Sequence, residues 1–184
     1  MKKNVLVIGG YGGVGKYVVE YLLRNHDVNV VIAGRNKQKA DNYRNYLLSK
    51  YPGISLESRS VDARKKEDLT ENFDSADLVI VAATIPDKMD LIAECALQSG
   101  SDVMDILFRG DVIEKLNKYK TSIIKNGRIF ITQCGFHPGM IAPTIRMAGS
   151  SFDVYKEASV AMAMDPVFYT AESLHELIYE IIKG

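Results

Sequence analysis

Hydrophobic positions follow two alternating patterns along the chain. Runs of consecutive apolar residues are typical of strands buried on both faces of a sheet. Between them, apolar residues recur three or four positions apart, as in amphipathic helices. The runs predict six strands, at residues 3–9, 28–33, 54–61, 78–83, 102–106 and 128–132. The intervening segments predict helices at residues 13–25, 36–50, 65–72, 87–99 and 110–125. This alternation predicts an α/β fold with a doubly wound parallel sheet.

The pattern changes after residue 132. Residues 133–140 contain glycine and proline and predict a turn. A helix over 140–149, a strand over 154–164 and an amphipathic helix over 170–183 are then expected, the last with Thr170 as its N-cap. We therefore predict a Rossmann domain at 1–134, and at 135–184 a linker turn with the truncated start of a second α+β domain. Because an unpaired strand edge tends to pair with another chain, a homodimer through residues 152–183 is expected.

A run of glycines directly after the first strand carries the strongest chemical signal. Gly10, Gly12 and Gly15 match the dinucleotide-binding pattern between a strand and a helix. Gly10 is expected to supply a special backbone dihedral, Gly12 to admit the pyrophosphate, and Gly15 to let helix and strand pack closely. The N–H groups at the helix start would face the anion. The cofactor-binding residues predicted in this loop are Gly10, Tyr11, Gly12, Gly13, Val14 and Gly15.

The end of the second strand favours NADP over NAD. NAD-binding sheets place an acidic residue there for the ribose hydroxyls. This chain has Ala33-Gly34-Arg35-Asn36 instead, without an acid. Arg35 can pair with a 2′-phosphate through two parallel hydrogen bonds, Gly34 is expected to leave room for the phosphate, and Asn36 and Lys37 to add donors. Arg35 as an ordinary solvated residue is the alternative.

Two other strand ends supply candidate cofactor neighbours. Asp62 follows the third strand and could accept the adenine amino group or cap the next helix. Ala82, Ala83 and Thr84 follow the fourth strand. Ligands of doubly wound sheets cross the carboxyl ends of the strands, so these small residues are expected beside the ribose and nicotinamide. Core packing explains the alanines equally well.

Composition restricts the functional class. The 184 residues suffice for one domain and part of another, and 47% are hydrophobic. Lys and Arg number 23, as do Asp and Glu, so neither nucleic acid nor a membrane surface is expected as a partner. A core strand begins at once, which argues against a signal peptide. Cys95 and Cys134 lack metal-ligand spacing, so we expect no metal, buried free thiols and a cytoplasmic location.

These motifs together resemble the saccharopine dehydrogenase-like family of NAD(P)-binding oxidoreductases. The resemblance rests on residues 7–15, residues 33–36, Val61-Asp62, Asp105, and residues 134–139, which match a Gly-Phe-(Asp or His)-Pro-Gly turn of the family. It implies NAD(P)-dependent hydride transfer at a C–N (or C=O) centre of a small, amino-acid-derived substrate. The family also implies a second domain inserted after the turn. Members are usually much longer, so the chain is expected to be an amino-terminal part or a reduced member.

Two residues are candidates for catalysis. His137, just past the sixth strand, could donate a proton or could brace the turn. Asp105, at the end of the fifth strand, could face the cleft or cap a turn.

Two other functions remain open. A short-chain dehydrogenase would need a Tyr-x-x-x-Lys pair, for which Tyr46/Lys50 and Tyr179/Lys183 have the spacing but lie on predicted helix surfaces. The glycine run also fits that class through Gly9, Gly13 and Gly15. A nucleotide-binding module or redox sensor without chemistry is favoured by the short second part.

Overall fold

The structure is a computed structural model that describes residues 1–107 and 109–161 and four further helical positions, Leu174, His175, Ile178 and Ile182. The strands are β1 (Lys3–Ile8), β2 (Val28–Gly34), β3 (Leu56–Ser60), β4 (Leu78–Val81), β5 (Asp102–Asp105) and β6 (Phe130–Ile131). The helices are α1 (Gly13–Asn25), α2 (Lys37–Lys50), α3 (Lys66–Phe73), α4 (Met89–Ser99), α5 (Gly110–Asn117), α6 (Lys120–Lys125) and α7 (Ile141–Gly149). A short 3₁₀ turn spans Pro86–Lys88, and a π turn spans Phe136–Met140.

All the strand pairs are parallel, and the sheet has the order β3-β2-β1-β4-β5-β6. The chain builds outward from β1 to β3 and then returns to the other side of β1 with β4. At this switch point Ile8 is in register with Ala33 on one side and with Val81 on the other. The carboxyl ends of the strands therefore share one edge, where ligands of such sheets bind.

Helices cover both faces of the sheet. Because successive strand residues point to opposite faces, Leu6 and Ile8 join one core cluster and Val5 and Val7 join the other. The first cluster is completed by residues that include Leu69, Phe73, Met89, Ile92 and Val112, from α3, α4 and α5. The second is completed by Val19, Ala40 and Leu47, from α1 and α2. This burial on both faces explains why the central strands consist of consecutive apolar residues.

The predicted doubly wound sheet is confirmed, and its strands lie where the apolar runs placed them. The helix predicted over 110–125 is two helices, α5 and α6. The chain turns between them at Lys118 and Tyr119, and the Tyr119 hydroxyl donates to Glu94 Oε1 at 3.2 Å. The helical periodicity of the sequence does not predict this contact with α4.

The second part of the chain differs more from the prediction. The predicted helix over 140–149 is confirmed as α7. The strand predicted over 154–164 is wrong for residues 154–161, which form no strand and are exposed. Strand pairing needs a neighbouring strand, and none of the described strands lies alongside this segment. Residues 162–164 and Thr170 lie outside the described residues, and the helix predicted over 170–183 is described only at its four helical positions.

Candidate cofactor site

The turn after β1 is made by Gly9. Its φ is +80°, a conformation that favours glycine, and its N–H donates to Ala33 O at 2.8 Å. A Cβ atom at Gly9 would lie 2.7 Å from Ala82 O and 3.0 Å from Ala83 Cβ. The expectation that Gly10 supplies the special dihedral is wrong, because the positive φ lies one residue earlier. The sequence signal was available, since Gly9 is the first residue after the strand.

Gly15 allows helix α1 to pack on this turn. A Cβ atom at Gly15 would lie 2.0 Å from Gly9 O, which confirms the predicted close packing. Gly12 is the N-cap of α1, and its N–H donates to Gly9 O at 2.8 Å. The three structural roles thus fall on Gly9, Gly12 and Gly15, three residues apart.

The amino end of α1 is suited to bind an anion. Gly12 caps the helix without a side chain, and the first turn contains no acidic residue. The N–H groups of the first turn have no acceptor within a helix. With 13 residues, α1 also places the positive end of its dipole here. Val14 is 54% exposed and Gly13 is partly exposed, so these two predicted loop residues lie at an accessible surface, whereas Gly15 is buried. A pyrophosphate fits this bare backbone cradle.

Tyr11 connects the glycine loop to the end of β2. Its hydroxyl accepts a hydrogen bond from the Asn36 N–H at 2.9 Å. A Cβ atom at Gly34 would lie 2.7 Å from Tyr11 Cε1 and 2.8 Å from its hydroxyl oxygen. The space beside Gly34 therefore holds the Tyr11 ring, which corrects the expectation that it is open for a phosphate.

Arg35 is the available cation at this strand end. It is exposed, and within residues 1–107 and 109–161 its guanidinium has no hydrogen bond or ion pair. Asn36 Oδ1 accepts the Lys39 N–H at 2.9 Å and caps α2. Lys37 is paired with Asp41 and also donates to Ser58 Oγ at 3.4 Å. The Asn36 and Lys37 side chains, expected as donors to the phosphate, are thus partly engaged in other hydrogen bonds. The Arg35 guanidinium is available to bind an anion.

Asp62, after β3, is bonded to Arg64. Asp62 Oδ1 accepts from Arg64 Nε at 2.8 Å, and the second oxygen accepts from its terminal nitrogen at 2.6 Å. These bonds hold the pKa of Asp62 at about 2. Helix α3 starts after Lys65 without a side-chain cap, so the capping role expected as one alternative is wrong. The Asp62 N–H instead donates to Asp68 Oδ2 at 2.9 Å, and the contact with adenine stays a prediction.

The segment after β4 lies beside the glycine turn. The Ala82 N–H donates to Ile8 O at 2.8 Å, and Ala82 and Ala83 fill the space next to Gly9. The Ile85 N–H donates to Ala83 O at 2.9 Å, so the chain turns sharply around Thr84. The structure therefore brings Ala82, Ala83 and Thr84 to the switch point, although their contact with a cofactor stays a prediction.

Asp105 is enclosed by backbone at the end of β5. Its side chain is fully buried, and Oδ1 accepts the N–H groups of Leu107 at 2.9 Å and Gln133 at 3.1 Å. Among the described residues, neither its Oδ2 nor the Thr132 hydroxyl has a partner at hydrogen-bonding geometry. Burial raises the pKa of Asp105, against the opposite effect of the Gln133 and Leu107 N–H groups. Of the two expected roles, these contacts match the turn cap, and the buried carboxyl cannot touch a substrate in this conformation.

The turn after β6 folds tightly back on β5. Gln133 has a φ of 61°, unusual for a residue with a side chain, and the Cys134 N–H donates to Asp105 O at 2.9 Å. Cβ atoms at Gly135 and Gly139 would lie 2.9 Å from Ile106 O and 2.6 Å from Gln133 O. The two glycines therefore permit the compact turn. His137 belongs to the π turn, but its side chain lies outside the described residues, so its role stays a prediction.

Sequence reasoning missed an ionic network beside this turn. Arg109 Nε donates to Asp111 Oδ1 at 2.9 Å, and Lys115 Nζ donates to Asp111 Oδ2 at 3.2 Å. Lys115 also donates to Pro86 O at 2.9 Å, and Gln133 Nε2 to Arg109 O at 3.5 Å. The spacing of Asp111 and Lys115 on one helix face was an available signal. The network ties α5 to the segment after β4.

Residues expected for other chemistries are not brought to this edge. Lys50 pairs with Glu20 at 2.7 Å and lies 5.7 Å from the Tyr46 ring centre, so Tyr46 and Lys50 form a surface pair of α2. Tyr179 and Lys183 lie outside the described residues. In the described part of the chain, no cluster of His, Cys, Asp or Glu could hold a metal ion. None of the helices described is long and apolar enough to cross a membrane.

Comparison with known proteins agrees with this geometry. Residues 5–131 match the family described as the saccharopine dehydrogenase NADP binding domain. A lipid droplet localized protein of Caenorhabditis elegans is 28% identical over 143 residues, which are 72% of this chain and 33% of that protein.

Two solved structures share the fold. Apo histidine-tagged saccharopine dehydrogenase (L-Glu forming) from Saccharomyces cerevisiae is 23% identical with a TM-score of 0.64, over 80% of this chain and 32% of that one. The Citrobacter sp. triphenylmethane reductase complexed with NADP(H) is 14% identical with a TM-score of 0.53, over 70% and 48% of the two chains. At these identities the likeness concerns the fold. The chain spans about a third of the length of the first two relatives.

Proposed function

Because the chain belongs to the family of saccharopine dehydrogenase NADP-binding domains, we propose that it binds NADP(H) for hydride transfer to or from a small, amino-acid-derived molecule. NADP is the cofactor of this domain. The reacting centre would be a C–N (or C=O) carbon. One observation carries the proposal. The amino end of α1, which has no side-chain cap, follows β1, and the exposed Arg35 follows the neighbouring strand β2.

The two phosphate-bearing parts of the cofactor would meet different residues. The N–H groups of Gly13, Val14 and Gly15 would hold the pyrophosphate, with Gly10, Tyr11 and Gly12 completing the loop. Arg35 would pair with the 2′-phosphate, a charge-assisted contact that NAD cannot make. Asn36 would support Arg35 by capping α2, and Asp62 would face the adenine.

The nicotinamide side of the site would lie between β4 and β6. The bound cofactor supplies or accepts the hydride, and the protein supplies position and charge. Ala82, Ala83 and Thr84 would flank the ribose and nicotinamide. Asp105 would hold the turn of residues 133–140 under the substrate, and His137 on that turn would exchange a proton with it.

The assembly and location are part of the proposal. A homodimer through residues 152–183 is supported by exposed apolar side chains on α7 and just after it, including Met147, Phe152 and Val154. Pairing of strand edges does not support the dimer, because residues 154–161 form no strand. A cytoplasmic location is supported by the free thiols of Cys95 and Cys134.

A second candidate is an NADP(H)-binding module without chemistry, such as a redox sensor. It is favoured by the burial of Asp105, because this predicted catalytic group cannot touch a substrate in the described conformation. The short-chain dehydrogenase alternative is weakened by the ion pair of Lys50 with Glu20 on the outer face of α2.

Calorimetric titration with NADPH and NADH, followed by NADPH oxidation assays with a panel of imino and oxo acids, tests these candidates. The oxidoreductase predicts tighter binding of NADPH and turnover with at least one acid. Tight NADPH binding without turnover on the whole panel would favour the binding module. An absence of heat with NADPH on folded protein would refute both.

A further inference from the structure

We propose that Tyr11 is a positioning residue that sets the preference for NADP(H) over NAD(H) by fixing the turn that carries Arg35. This inference rests on the proposed function, because it concerns the site of the 2′-phosphate. The glycine pattern of the loop does not predict this role for the Tyr11 side chain. Tyr11 acts here through the backbone around Arg35.

The contacts of Tyr11 reach across two strands. Its half-buried ring packs against the core cluster under α1 and α2 and fills the space beside Gly34. Its hydroxyl accepts the Asn36 N–H at 2.9 Å. Tyr11 therefore touches the residue before Arg35 with its ring and the residue after it with its hydroxyl.

The rest of the turn is held by its own elements. The Val61 N–H donates to Gly34 O at 3.0 Å, which ties the turn to the end of β3. Asn36 O accepts the Ala40 N–H at 3.1 Å, and its side chain caps α2. Among the described residues, Tyr11 is the side chain that joins this turn to the glycine loop. It couples the predicted pyrophosphate and 2′-phosphate sites.

This coupling explains how an exposed arginine can discriminate between cofactors. A long side chain loses conformational freedom when it binds, and a mobile backbone adds to that cost. Fixing Gly34 and Asn36 removes the backbone contribution to this entropy cost of binding. NADP(H) and NAD(H) share the pyrophosphate, so loosening the turn weakens only the cofactor that contacts Arg35.

The contact of Tyr11 with Gly34 leads to a second, independent prediction about cofactor affinity. The φ of Gly34 lies outside the left-handed region, so its backbone accepts alanine. A new Cβ would lie 2.7 Å from Tyr11 Cε1 and would displace the ring from the Asn36 N–H. Gly34→Ala should therefore resemble Tyr11→Phe in its effect on the cofactor, but only while Tyr11 is present.

Calorimetry on the full chain with NADPH, NADH, 2′,5′-ADP and 5′-AMP tests the proposal. Tyr11→Phe should weaken NADPH and 2′,5′-ADP about fivefold, the effect of one hydrogen bond, and leave NADH and 5′-AMP unchanged. Tyr43→Phe is the matched control, because the Tyr43 hydroxyl also bonds to backbone, donating to Lys16 O at 2.9 Å, and its ring packs on the same cluster. This control should leave the ratio of NADPH to NADH affinity unchanged.

The outcomes separate the inference from the proposed function. If wild-type protein binds NADPH more tightly than NADH and Tyr11→Phe keeps that ratio, the role of Tyr11 is refuted while the proposed function stands. If wild-type protein does not bind NADPH, the proposed function fails first. Gly34→Ala should lower NADPH affinity in the wild type and have no further effect in Tyr11→Ala. Equal effects in both backgrounds would overturn the pairing, and thermal unfolding checks that each variant is folded.

Discussion

At the scale of single residues, Asp105 places an ionisable group in the interior of the described site. Its carboxyl is fully buried, and one oxygen lacks a partner among the described residues. Desolvation of a carboxylate favours its protonated form. The same carboxyl, together with burial, raises the pKa of the Cys134 thiol. One group thus fixes the turn after β6 and affects the chemistry of its neighbour.

Asp105→Asn should stabilise the protein near neutral pH and have little effect in acid. Because the folded pKa lies above the ordinary 3.8, the folded state binds the proton more tightly than the unfolded chain. The contribution of Asp105 to the stability of the wild type is therefore fully present below pH 3.8 and is lost as pH rises through the folded pKa. Asparagine cannot ionise and shows no such fall. Urea unfolding at several pH values measures the difference.

The control for this prediction is Asp105→Ala. It removes the acceptor of the Leu107 and Gln133 N–H groups, so it should cost about 2–4 kcal/mol in acid. The cost should be smaller at neutral pH, because alanine, like asparagine, does not ionise. Cys134 gives a second readout, since its alkylation should be faster in Asp105→Asn than in the wild type at one pH. A wild type whose stability relative to Asp105→Asn does not change with pH would contradict the assignment.

Arg35→Ala should weaken NADPH binding about 10- to 100-fold, the effect of losing a charge-assisted hydrogen bond pair. NADH, which lacks the 2′-phosphate, should bind almost as before. Lys37→Ala removes the same charge two residues away, but Lys37 is paired with Asp41, so it serves as the control. Calorimetric titration of each variant with both cofactors measures these changes in affinity. A similar loss for NADPH and NADH would remove Arg35 from the phosphate site.

At the scale of elements, the sequence predicted what depends on local patterns. The six strands and the join of β1 to α1 follow from apolar runs and glycines that are adjacent in the chain. The break between α5 and α6 depends on the contact of Tyr119 with α4, which no local pattern encodes. The strand expected over 154–164 is wrong for residues 154–161 for a similar reason, since a strand requires a partner strand. In the candidate site, the position of Arg35 was predictable because Arg35 directly follows β2, whereas the fit of Tyr11 beside Gly34 joins two separate elements.

Gly15→Ala tests the packing of α1 on the turn after β1. A Cβ atom 2.0 Å from Gly9 O forces the helix or the turn to move, so we expect a loss of about 3 kcal/mol of stability together with weaker binding of both cofactors. Gly110→Ala is the matched control, because Gly110 also lies in the first turn of a helix and none of the described residues comes within 4 Å of a new Cβ there. It should be neutral or stabilising by up to about 1 kcal/mol. Chemical denaturation of both variants compares them, and equal stability would contradict the close packing.

At the scale of the whole molecule, the two parts of the chain differ in burial. The sheet and its helices enclose two continuous cores, whereas α7 contains no buried residue. Apolar side chains on α7 and just after it that face solvent in the single chain include Met147, Phe152 and Val154. An apolar surface of this kind is typical of a face that meets another protein surface.

Met147→Lys should convert the proposed dimer to a monomer. A charge placed in an apolar interface is desolvated without a partner, which opposes association. Tyr17→Lys is the matched control, since Tyr17 on α1 is 77% exposed and Met147 is 74% exposed. Light scattering over a range of concentrations measures the mass of the wild type and both variants. A wild type that stays monomeric at high concentration would contradict the proposal.

The shared space of Tyr11 and Gly34 has an evolutionary consequence. A Cβ at position 34 and an aromatic ring at position 11 cannot occupy the same volume. Among homologous sequences, we expect the two positions to covary, with a larger residue at 34 accompanied by a smaller one at 11. Natural selection would then act on the pair, because a substitution at either position changes the space that the other residue requires.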